Sequence, residues 1–346
     1  MSSSLEAPPH SSSSSTAELE PFLAILCPST PPNTTTNTNQ RLTQLRQLIL
    51  LESLPKHPAQ AASIRPLVWK LLLRLNLLPQ DVHHDIHPLL DSQTYLDLVS
   101  RSASPMFSKI RNDTFRTLAT DLEFRQRVGE ERLVRCLEAF VWRQLDSAAN
   151  EAAGLHSPSS APPTIDPGTP YVQGMNVLAA PFLYVLPTEL EAFACFCSFI
   201  EVQAPRYVRP TLEGVHLGLQ LVDRCLSCVD TQLYTHLLSH NLTAELYAFP
   251  SLLTFSASTP PLGEVLELWD FLLAWGVGLN VLCVVAQVVI MKDELMRSSS
   301  PMKLLRTFPP LKSREIIPLA VQSVGDLDSE LYSAVVRHPW DDELVL

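Results

Sequence analysis

One stretch of sequence decides the fold class of this protein, residues 129–142, which read GEERLVRCLEAFVW. Its apolar residues recur at the spacing i, i+4, i+7 and i+8, at Leu133, Leu137, Phe140 and Val141. This spacing places them on one face of an α-helix, and the charged residues fall on the remaining surface. The stretch therefore predicts an amphipathic helix that packs on a core.

The same periodicity recurs along most of the chain. Apolar residues from Leu42 to Ile49 fall on one side, and residues 65–69 (RPLVW) open another helix with Pro66 in its first turn. Strand-like alternation bounded by turn residues does not occur, so the predicted fold class is all-α. Further helices are predicted over roughly 176–186, 189–202, 213–229, 262–275 and 279–296.

Two segments lack periodicity and set the predicted organisation. Residues 1–40 contain an unbroken serine run and a Thr/Asn-rich tract, and such a composition cannot bury enough apolar surface to offset the entropy of ordering. We predict a disordered low-complexity tail there, and a mobile insertion loop over 147–169, which is rich in Ala, Ser, Pro and Gly. Helical character returns near Asp328, which predicts a C-terminal helical extension over 311–346.

Composition narrows the functional classes. The chain has 36 acidic and 25 basic residues, a formal net charge of -11, and no Lys/Arg stripe. Nucleic acid and anionic membrane surfaces are therefore unfavourable partners. The N-terminus has neither the basic nor the apolar region of a secretory signal, and most of the seven cysteines sit in apolar runs, which favours a reducing compartment.

The uncharged run from Phe271 to Met291 has the length of a membrane span. Gly276 and Gly278 interrupt it, and Asn280 could cap a new helix after the break. We therefore predict two buried helices in this run and no membrane span.

Two short segments carry side chains suited to chemistry. In residues 110–117 (IRNDTFRT), Asp113 and Arg116 are three positions apart and would share one side of a helix. In residues 171–176 (YVQGMN), Gly174 allows a close backbone approach and Gln173 would be presented at the entry of an apolar helix. Taken alone, the first segment also fits a solvated ion pair and the second an ordinary turn.

Other clusters fit common structural roles better than functional ones. His83 and His87 have metal-ligand spacing but precede a proline, so a surface loop is favoured over a metal site. Cys195 and Cys197, like Cys225 and Cys228, lie in apolar helical stretches, which favours packing over zinc. No Walker-type phosphate loop occurs, so we expect no GTP bound by this chain itself.

The two chemical segments together resemble the signature motifs of TBC-domain (Rab-GAP-like) GTPase-activating proteins. Residues 65–69 resemble the opening of that domain, and residues 265–270 (VLELWD) resemble its later Trp-Asp element. The matches occur in the family's order and cover roughly residues 41–310. The stretches YVQGMNVLAAPFLY, PSLLTFSASTPPLGEVLELWDFL and SPMKLLRT resemble one branch, the fungal cell-cycle GAP subunits that restrain mitotic exit and septation.

The resemblance implies a V-shaped, two-lobed helical domain that activates GTP hydrolysis by a small Ras-like or Rab-like GTPase. Arg116 matches the family's catalytic arginine finger and Gln173 its catalytic glutamine finger. Asp113 is implied as a support for Arg116, with Tyr171, Gly174 and Asn176 as further supporting residues. Trp69, Trp269 and Asp270 are assigned to core packing.

The family branch also implies partners and a location. No cofactor or metal is expected for this chain, since GTP and Mg²⁺ are carried by the partner GTPase. A scaffold-type second GAP subunit and residence in the cytoplasm at the spindle pole body are implied. Two alternatives remain, namely a non-catalytic scaffold that binds a GTPase and a Rab-directed GAP in membrane traffic.

Two features depart from the family pattern. Pro170 stands where the family often has Gly before the tyrosine of the second motif. The 147–169 insertion is also longer than expected. Both departures affect the surroundings of Gln173 and leave the two finger positions intact.

Overall fold

The computed structural model describes residues 18–27, 35–74, 91–154 and 169–345. Over these ranges the regular structure is helical and contains no strand, which confirms the all-α prediction. The N-terminal helices are α1 (Glu20–Leu26), α2 (Thr35–Glu52), α3 (Pro58–Leu72), α4 (Ser92–Val99), α5 (Phe107–Thr114), α6 (Leu122–Arg127), α7 (Glu130–Ala152), α8 (Met175–Val185) and α9 (Glu189–Ser198), which a π-helical turn (Phe199–Gln203) continues.

The C-terminal half continues in the same manner. Its helices are α10 (Glu213–Val229), α11 (Thr231–Ser239), α12 (Ala244–Tyr247), α13 (Phe249–Leu253), α14 (Leu262–Trp275), α15 (Asn280–Ile290), α16 (Lys292–Arg297), α17 (Pro301–Leu305), α18 (Ser313–Ser323) and α19 (Ser329–Arg337). Short 3₁₀ turns occur at Pro205–Tyr207, Val277–Leu279 and Val324–Asp326.

The helices pack in two groups that correspond to the two expected lobes. In the first, α7, α8 and α9 pack on one another and carry α4 and α5. In the second, α10 packs against α11 and α15, and α15 packs against α18. Helix α14 joins the groups, because it contacts α18 of the second group and α3, which packs on α8 of the first.

A line of buried aromatic rings runs through this junction. The ring centroids of Trp69 and Phe182 are 5.5 Å apart, those of Phe182 and Trp269 are 5.4 Å apart, and Phe199 stacks on Trp269 at 5.2 Å. Trp69 and Trp269 are almost fully buried, which confirms their assignment to the core. Such ring pairs stabilise beyond the area that they bury.

A buried ion pair accompanies these rings. The Arg65 guanidinium donates to both carboxylate oxygens of Asp270 at 2.9–3.1 Å, and the indole N–H of Trp69 donates to the same carboxylate at 2.7 Å. Asp270 therefore lies in the core as predicted, where it connects α3 to α14 through a fully satisfied polar contact.

The predicted disordered tail over 1–40 is wrong for part of its length, because residues 20–26 form α1 and α2 begins at Thr35. Phe22 and Leu26 of α1 are buried. The Arg41 side chain of α2 donates to the carbonyls of Ile25 and Leu26 at 2.9 and 3.2 Å, which satisfies the end of α1. Residues 1–17 and 28–34 lie outside the described residues.

Two predicted helix boundaries are also wrong. Helix α3 begins at Pro58, not at Arg65, because the Ala-rich turn after Pro58 favours a helix, and Pro66 lies inside it. The insertion was predicted to start at residue 147, but α7 continues to Ala152. The C-terminal part of α7 is held by two hydrogen bonds of 2.8 Å from the Arg101 guanidinium to the Asp146 carboxylate. Residues 155–168 of the insertion lie outside the described residues.

The uncharged run forms two buried helices, as predicted. Helix α14 ends at Trp275, the following Gly276 has a φ of +119° that favours glycine, and α15 begins at Asn280. Asn280 does not cap α15; its amide donates to the Ser251 carbonyl at 3.1 Å and accepts from Ser256 at 2.8 Å. No helix within the described ranges is both long and apolar enough to cross a membrane.

The segment after residue 310 is helical, as predicted. Helix α19 begins after Asp328, whose carboxylate accepts from the Leu331 N–H at 2.8 Å. Helix α18, which the periodicity did not predict, packs on α14 and α15. The segment therefore shares the core of the second group, and the boundary at 310 stays a prediction.

Candidate functional site

Helix α5 and the turn that follows it position the first chemical segment. Ile110 anchors α5 in the core, and the helix ends at Thr114. Arg116 lies beyond that end, in a turn in which its own N–H donates to the Asp113 carbonyl at 3.3 Å. The expectation that Asp113 and Arg116 share a helix is therefore wrong, but the turn still brings their side chains together.

The Asp113–Arg116 pair is buried at one end and exposed at the other. The Arg116 Nη2 and Asp113 Oδ1 atoms are 3.3 Å apart, and the side chains are 69% and 10% exposed, respectively. An ion pair with one partner in water contributes only about 0–1 kcal/mol, since solvent screens it. Asp113 thus guides Arg116 without fixing it, and the guanidinium can turn to an incoming group.

A tight turn presents Gln173. The Met175 N–H donates to the Val172 carbonyl at 3.2 Å across the turn, and Gly174 has a φ of +104°. This positive φ favours glycine, and a Cβ atom on Gly174 would lie 3.1 Å from the Leu253 side chain, which would have to shift by a few tenths of an ångström. The Gln173 side chain is exposed and hydrogen-bonds to no described residue.

Tyr171 connects the second segment to the first. Its hydroxyl donates to Oδ2 of Asp113 at 3.1 Å. Burial raises the pKa of Tyr171, and the Asp113 carboxylate raises it further, so the phenol keeps its proton and remains a donor. Both oxygens of Asp113 are thereby engaged, one by Tyr171 and one by Arg116.

The buried amide of Asn176 joins the same two segments at the backbone. Its Nδ2 donates to the Asp113 carbonyl at 3.3 Å and to the Thr117 hydroxyl at 2.7 Å. Its Oδ1 accepts from the Gly174 N–H at 3.2 Å. One side chain therefore fixes the residues on both sides of Arg116 relative to the turn that carries Gln173.

Two residues that sequence reasoning did not select also hold this arrangement. The Thr117 hydroxyl donates to the Asp113 carbonyl at 3.1 Å. The Lys109 ammonium donates to the Tyr171 carbonyl at 3.2 Å and lies 5.7 Å from the centroid of the Tyr171 ring. Thr117 lies within the first segment and Lys109 directly before it, so their position next to the motif is the sequence feature that could have identified them.

The arrangement combines a rigid base with two exposed polar groups. An arginine presents a planar fork of donors that matches phosphoryl oxygens, and a glutamine amide can both donate to and accept from one water molecule. Because both side chains project from held backbone, the site is suited to act on a group carried by another molecule.

Metal-ligating side chains do not cluster in the part of the chain that the structure describes, where no three or more His, Cys, Asp or Glu could hold an ion. The His83–His87 cluster lies outside the described residues. Cys195, Cys197 and Cys225 are buried, and burial raises the pKa of Cys225 to about 12. Buried thiols of this kind stay protonated and pack as small apolar groups.

Comparison with known proteins relates the chain to one family. Residues 62–296 match the family model described as the Rab-GTPase-TBC domain. The chain is 39% identical over 312 residues to "Cell division control protein 16" of Schizosaccharomyces pombe, covering 90% of this chain and 93% of that protein. It is 36% identical over 308 residues to "Mitotic check point protein BUB2" of Saccharomyces cerevisiae, covering 88% of this chain and 94% of that protein.

The fold has a counterpart among solved structures. The crystal structure of the Ypt/Rab-GAP domain of Gyp1p superposes with a TM-score of 0.66 at 19% identity, covering 92% of this chain and 99% of that one. Together with the matches in sequence, this places the protein in a family: the chain belongs to the Rab-GTPase-TBC domain family and is a GTPase-activating protein related to cell-division control proteins.

Proposed function

We propose that this protein accelerates GTP hydrolysis by a small Ras-like GTPase by inserting Arg116 and Gln173 into the nucleotide site of that GTPase. One observation carries the proposal. The Asn176 amide and the Tyr171 hydroxyl hold the two chemical segments together, and the two finger side chains remain exposed. A side chain that acts only in packing would be buried, whereas these two side chains extend into solvent from a backbone that is held in place.

The role of Arg116 is electrostatic. During transfer of the γ-phosphoryl group, negative charge spreads over the phosphoryl and leaving oxygens, and a guanidinium placed there stabilises the transition state. An arginine supplied in trans by an activating protein increases the hydrolysis rate by about 10³–10⁵. Asp113 orients Arg116 until the phosphate takes its place.

Gln173 positions the attacking water. Its amide oxygen accepts a hydrogen bond from that water, and its amide nitrogen can donate one to a neighbouring oxygen. In this proposal it replaces the glutamine that a GTPase ordinarily uses for the same purpose. GTP and Mg²⁺ belong to the partner GTPase, and this chain contributes no cofactor or metal.

The cellular role that we propose is restraint of mitotic exit and septation, as one subunit of a two-component GAP. The names of the yeast relatives support a role in cell division. A scaffold-type second subunit, and a cytoplasmic location at the spindle pole body, belong to the same proposal. The rival functions are a Rab-directed GAP, which the family description favours, and a non-catalytic GTPase-binding scaffold.

Single-turnover GTP hydrolysis across a panel of small GTPases, with and without a candidate second subunit, tests the proposal. We expect strong stimulation of one GTPase by the wild-type protein and by Arg224→Ala, which removes an exposed arginine of α10. Binding without stimulation across the whole panel would identify the scaffold, and stimulation confined to Rab GTPases would favour the membrane-traffic role.

A further inference from the structure

A cavity of about 550 Å³ lies where α2, the end of α3, the end of α14 and the C-terminal segment meet. Its wall includes Arg46, Arg74, Gln203, Trp275 and Trp340, and we name it the arginine pocket. None of its lining residues belongs to the candidate site described above. Its volume is within the range that is typical of ligand-binding pockets.

The arginine pocket carries positive charge that no described residue neutralises. Arg46 and Arg74 form no ion pair with any described residue, and none of the described residues that line the cavity is Asp or Glu. The nearby carboxylates Glu201 and Asp341 are engaged by Arg143 and Arg337. Two arginines in one cavity without an ion pair among the described residues are unexpected in a protein with a net charge of -11.

The environment of Arg46 in this pocket is energetically unfavourable. Its Nε–H is buried without a hydrogen-bond partner within the described residues. Burial lowers the pKa of Arg46, and the charge of Arg74 lowers it further. A buried donor without a partner and an uncompensated charge are both unfavourable, and an anion in the cavity would relieve both.

The remaining wall is apolar and exposed. Trp275, Trp340 and Val202 are 39%, 46% and 41% exposed, although large apolar side chains usually avoid such contact with water. The Trp275 indole N–H donates to the Arg46 carbonyl at 3.1 Å, so this ring is held in place before any ligand arrives. Tryptophan and arginine are the residue types that contribute most to binding at protein interfaces.

We propose that the arginine pocket binds an acidic segment of a protein partner, with its carboxylates on Arg46 and Arg74 and its apolar side chains against Trp275 and Trp340. Charge complementarity favours this occupant, and the exposed tryptophans favour a peptide over a small inorganic anion, which would leave them in water. The inference goes beyond the proposed function, because it does not require Arg116 or Gln173 to act in catalysis.

Fluorescence anisotropy with the full-length protein tests this inference. The probe is a short fluorescein-labelled peptide of alternating glutamate and leucine residues, and a second peptide has glutamine in place of every glutamate. We expect binding of the acidic peptide alone. Arg74→Gln should weaken it about tenfold or more, since a hydrogen bond to a charged group is lost. Arg74 is exposed, so this variant should fold.

The matched control is Arg306→Gln, which removes the same charge from an exposed site outside the cavity and should leave the affinity within about twofold. Trp340→Ala should weaken the acidic peptide but not a leucine-free glutamate peptide. Equal losses in the Arg74 and Arg306 variants would reduce the effect to overall charge and overturn the inference. Equal affinity for the glutamine peptide, displacement by millimolar inorganic phosphate, or no measurable peptide binding would also overturn it.

Discussion

At the scale of single residues, the site depends on a few buried polar atoms that hold two exposed ones. Asn176 contacts both the backbone before Arg116 and the side chain after it, and Tyr171 engages the carboxylate that guides Arg116. The exposed groups have few contacts of their own. Loss of a finger and loss of its support should therefore have different consequences for folding and for hydrolysis.

Arg116→Ala should abolish most of the stimulation of GTP hydrolysis, by about 10³–10⁵ in rate, while binding of the GTPase survives. Arg116→Lys should lose most of it as well, because lysine lacks the planar fork. Single-turnover hydrolysis and calorimetric binding measure the two quantities. The finger assignment fails if Arg116→Ala stimulates hydrolysis as well as the wild type.

Tyr171→Phe removes only the hydroxyl that donates to Asp113. Because one carboxylate oxygen then lacks its buried partner, the protein should lose about 1–3 kcal/mol of unfolding free energy. The maximal stimulated rate should fall while the GTPase concentration for half-maximal effect stays constant, since Tyr171 is buried. A change in that concentration alone would contradict the supporting role and assign Tyr171 to the interface.

At the scale of elements, periodicity predicted three long helices to within one residue, whereas the predicted start of α3 and the predicted end of α7 were wrong. The helices over 175–185, 213–229 and 262–275 lie where the apolar spacing placed them. The short helix α1 was missed because its stability comes from Arg41 and from packing on neighbouring helices, which spacing does not reveal. The site shows the same limit. The resemblance indicated Asp113 and Asn176, but the supporting role of Lys109 comes from a contact with a residue 62 positions away, which the sequence does not reveal.

Arg65→Ala should destabilise the connection between α3 and α14. It leaves the Asp270 carboxylate buried without its cation, which costs about 3–5 kcal/mol of unfolding free energy. The control is Arg101→Ala, which breaks a pair whose side chains are 35% and 45% exposed and should cost less than about 1 kcal/mol. Chemical denaturation measures both. Similar losses in the two variants would show that burial of the Arg65–Asp270 pair does not matter.

At the scale of the whole molecule, the C-terminal segment returns to the turn at residues 205–207. The Arg206 side chain donates to the Asp341 carbonyl at 2.7 Å, and the Tyr207 hydroxyl lies 2.7 Å from Nε2 of His338. Nδ1 of His338 lies 2.8 Å from the Val335 carbonyl, so it carries the proton and Nε2 accepts from Tyr207. A neutral, fully buried His338 therefore joins the end of the chain to the second group of helices.

This histidine makes stability depend on pH. Burial lowers the pKa of His338 from 6.5 to about 4, and the charge of Arg206 contributes to the lowering. As the pH falls below 6.5 the unfolded chain takes up a proton that the folded chain does not, so unfolding becomes easier. The contribution of His338, complete above pH 6.5, is lost progressively towards pH 4 and amounts to about 3 kcal/mol.

Urea denaturation of wild type and His338→Gln at several pH values between 7 and 4 measures this contribution. Glutamine can still accept from Tyr207 but takes up no proton in this range. The stability of the variant should therefore fall less steeply with acidification than that of the wild type. Parallel pH profiles of the two proteins would show that His338 takes up its proton as readily in the folded protein as in the unfolded chain.

We propose that Gln173 supplies the glutamine function of the reaction, and one comparison tests this role most directly. Single-turnover phosphate release is measured for the target GTPase and for its variant with the switch glutamine replaced by leucine, each with wild-type protein and with Gln173→Ala. We predict that wild-type protein still accelerates the leucine variant, and that Gln173→Ala abolishes this rescue while binding persists. Equal rates with wild type and Gln173→Ala would contradict the dual-finger mechanism.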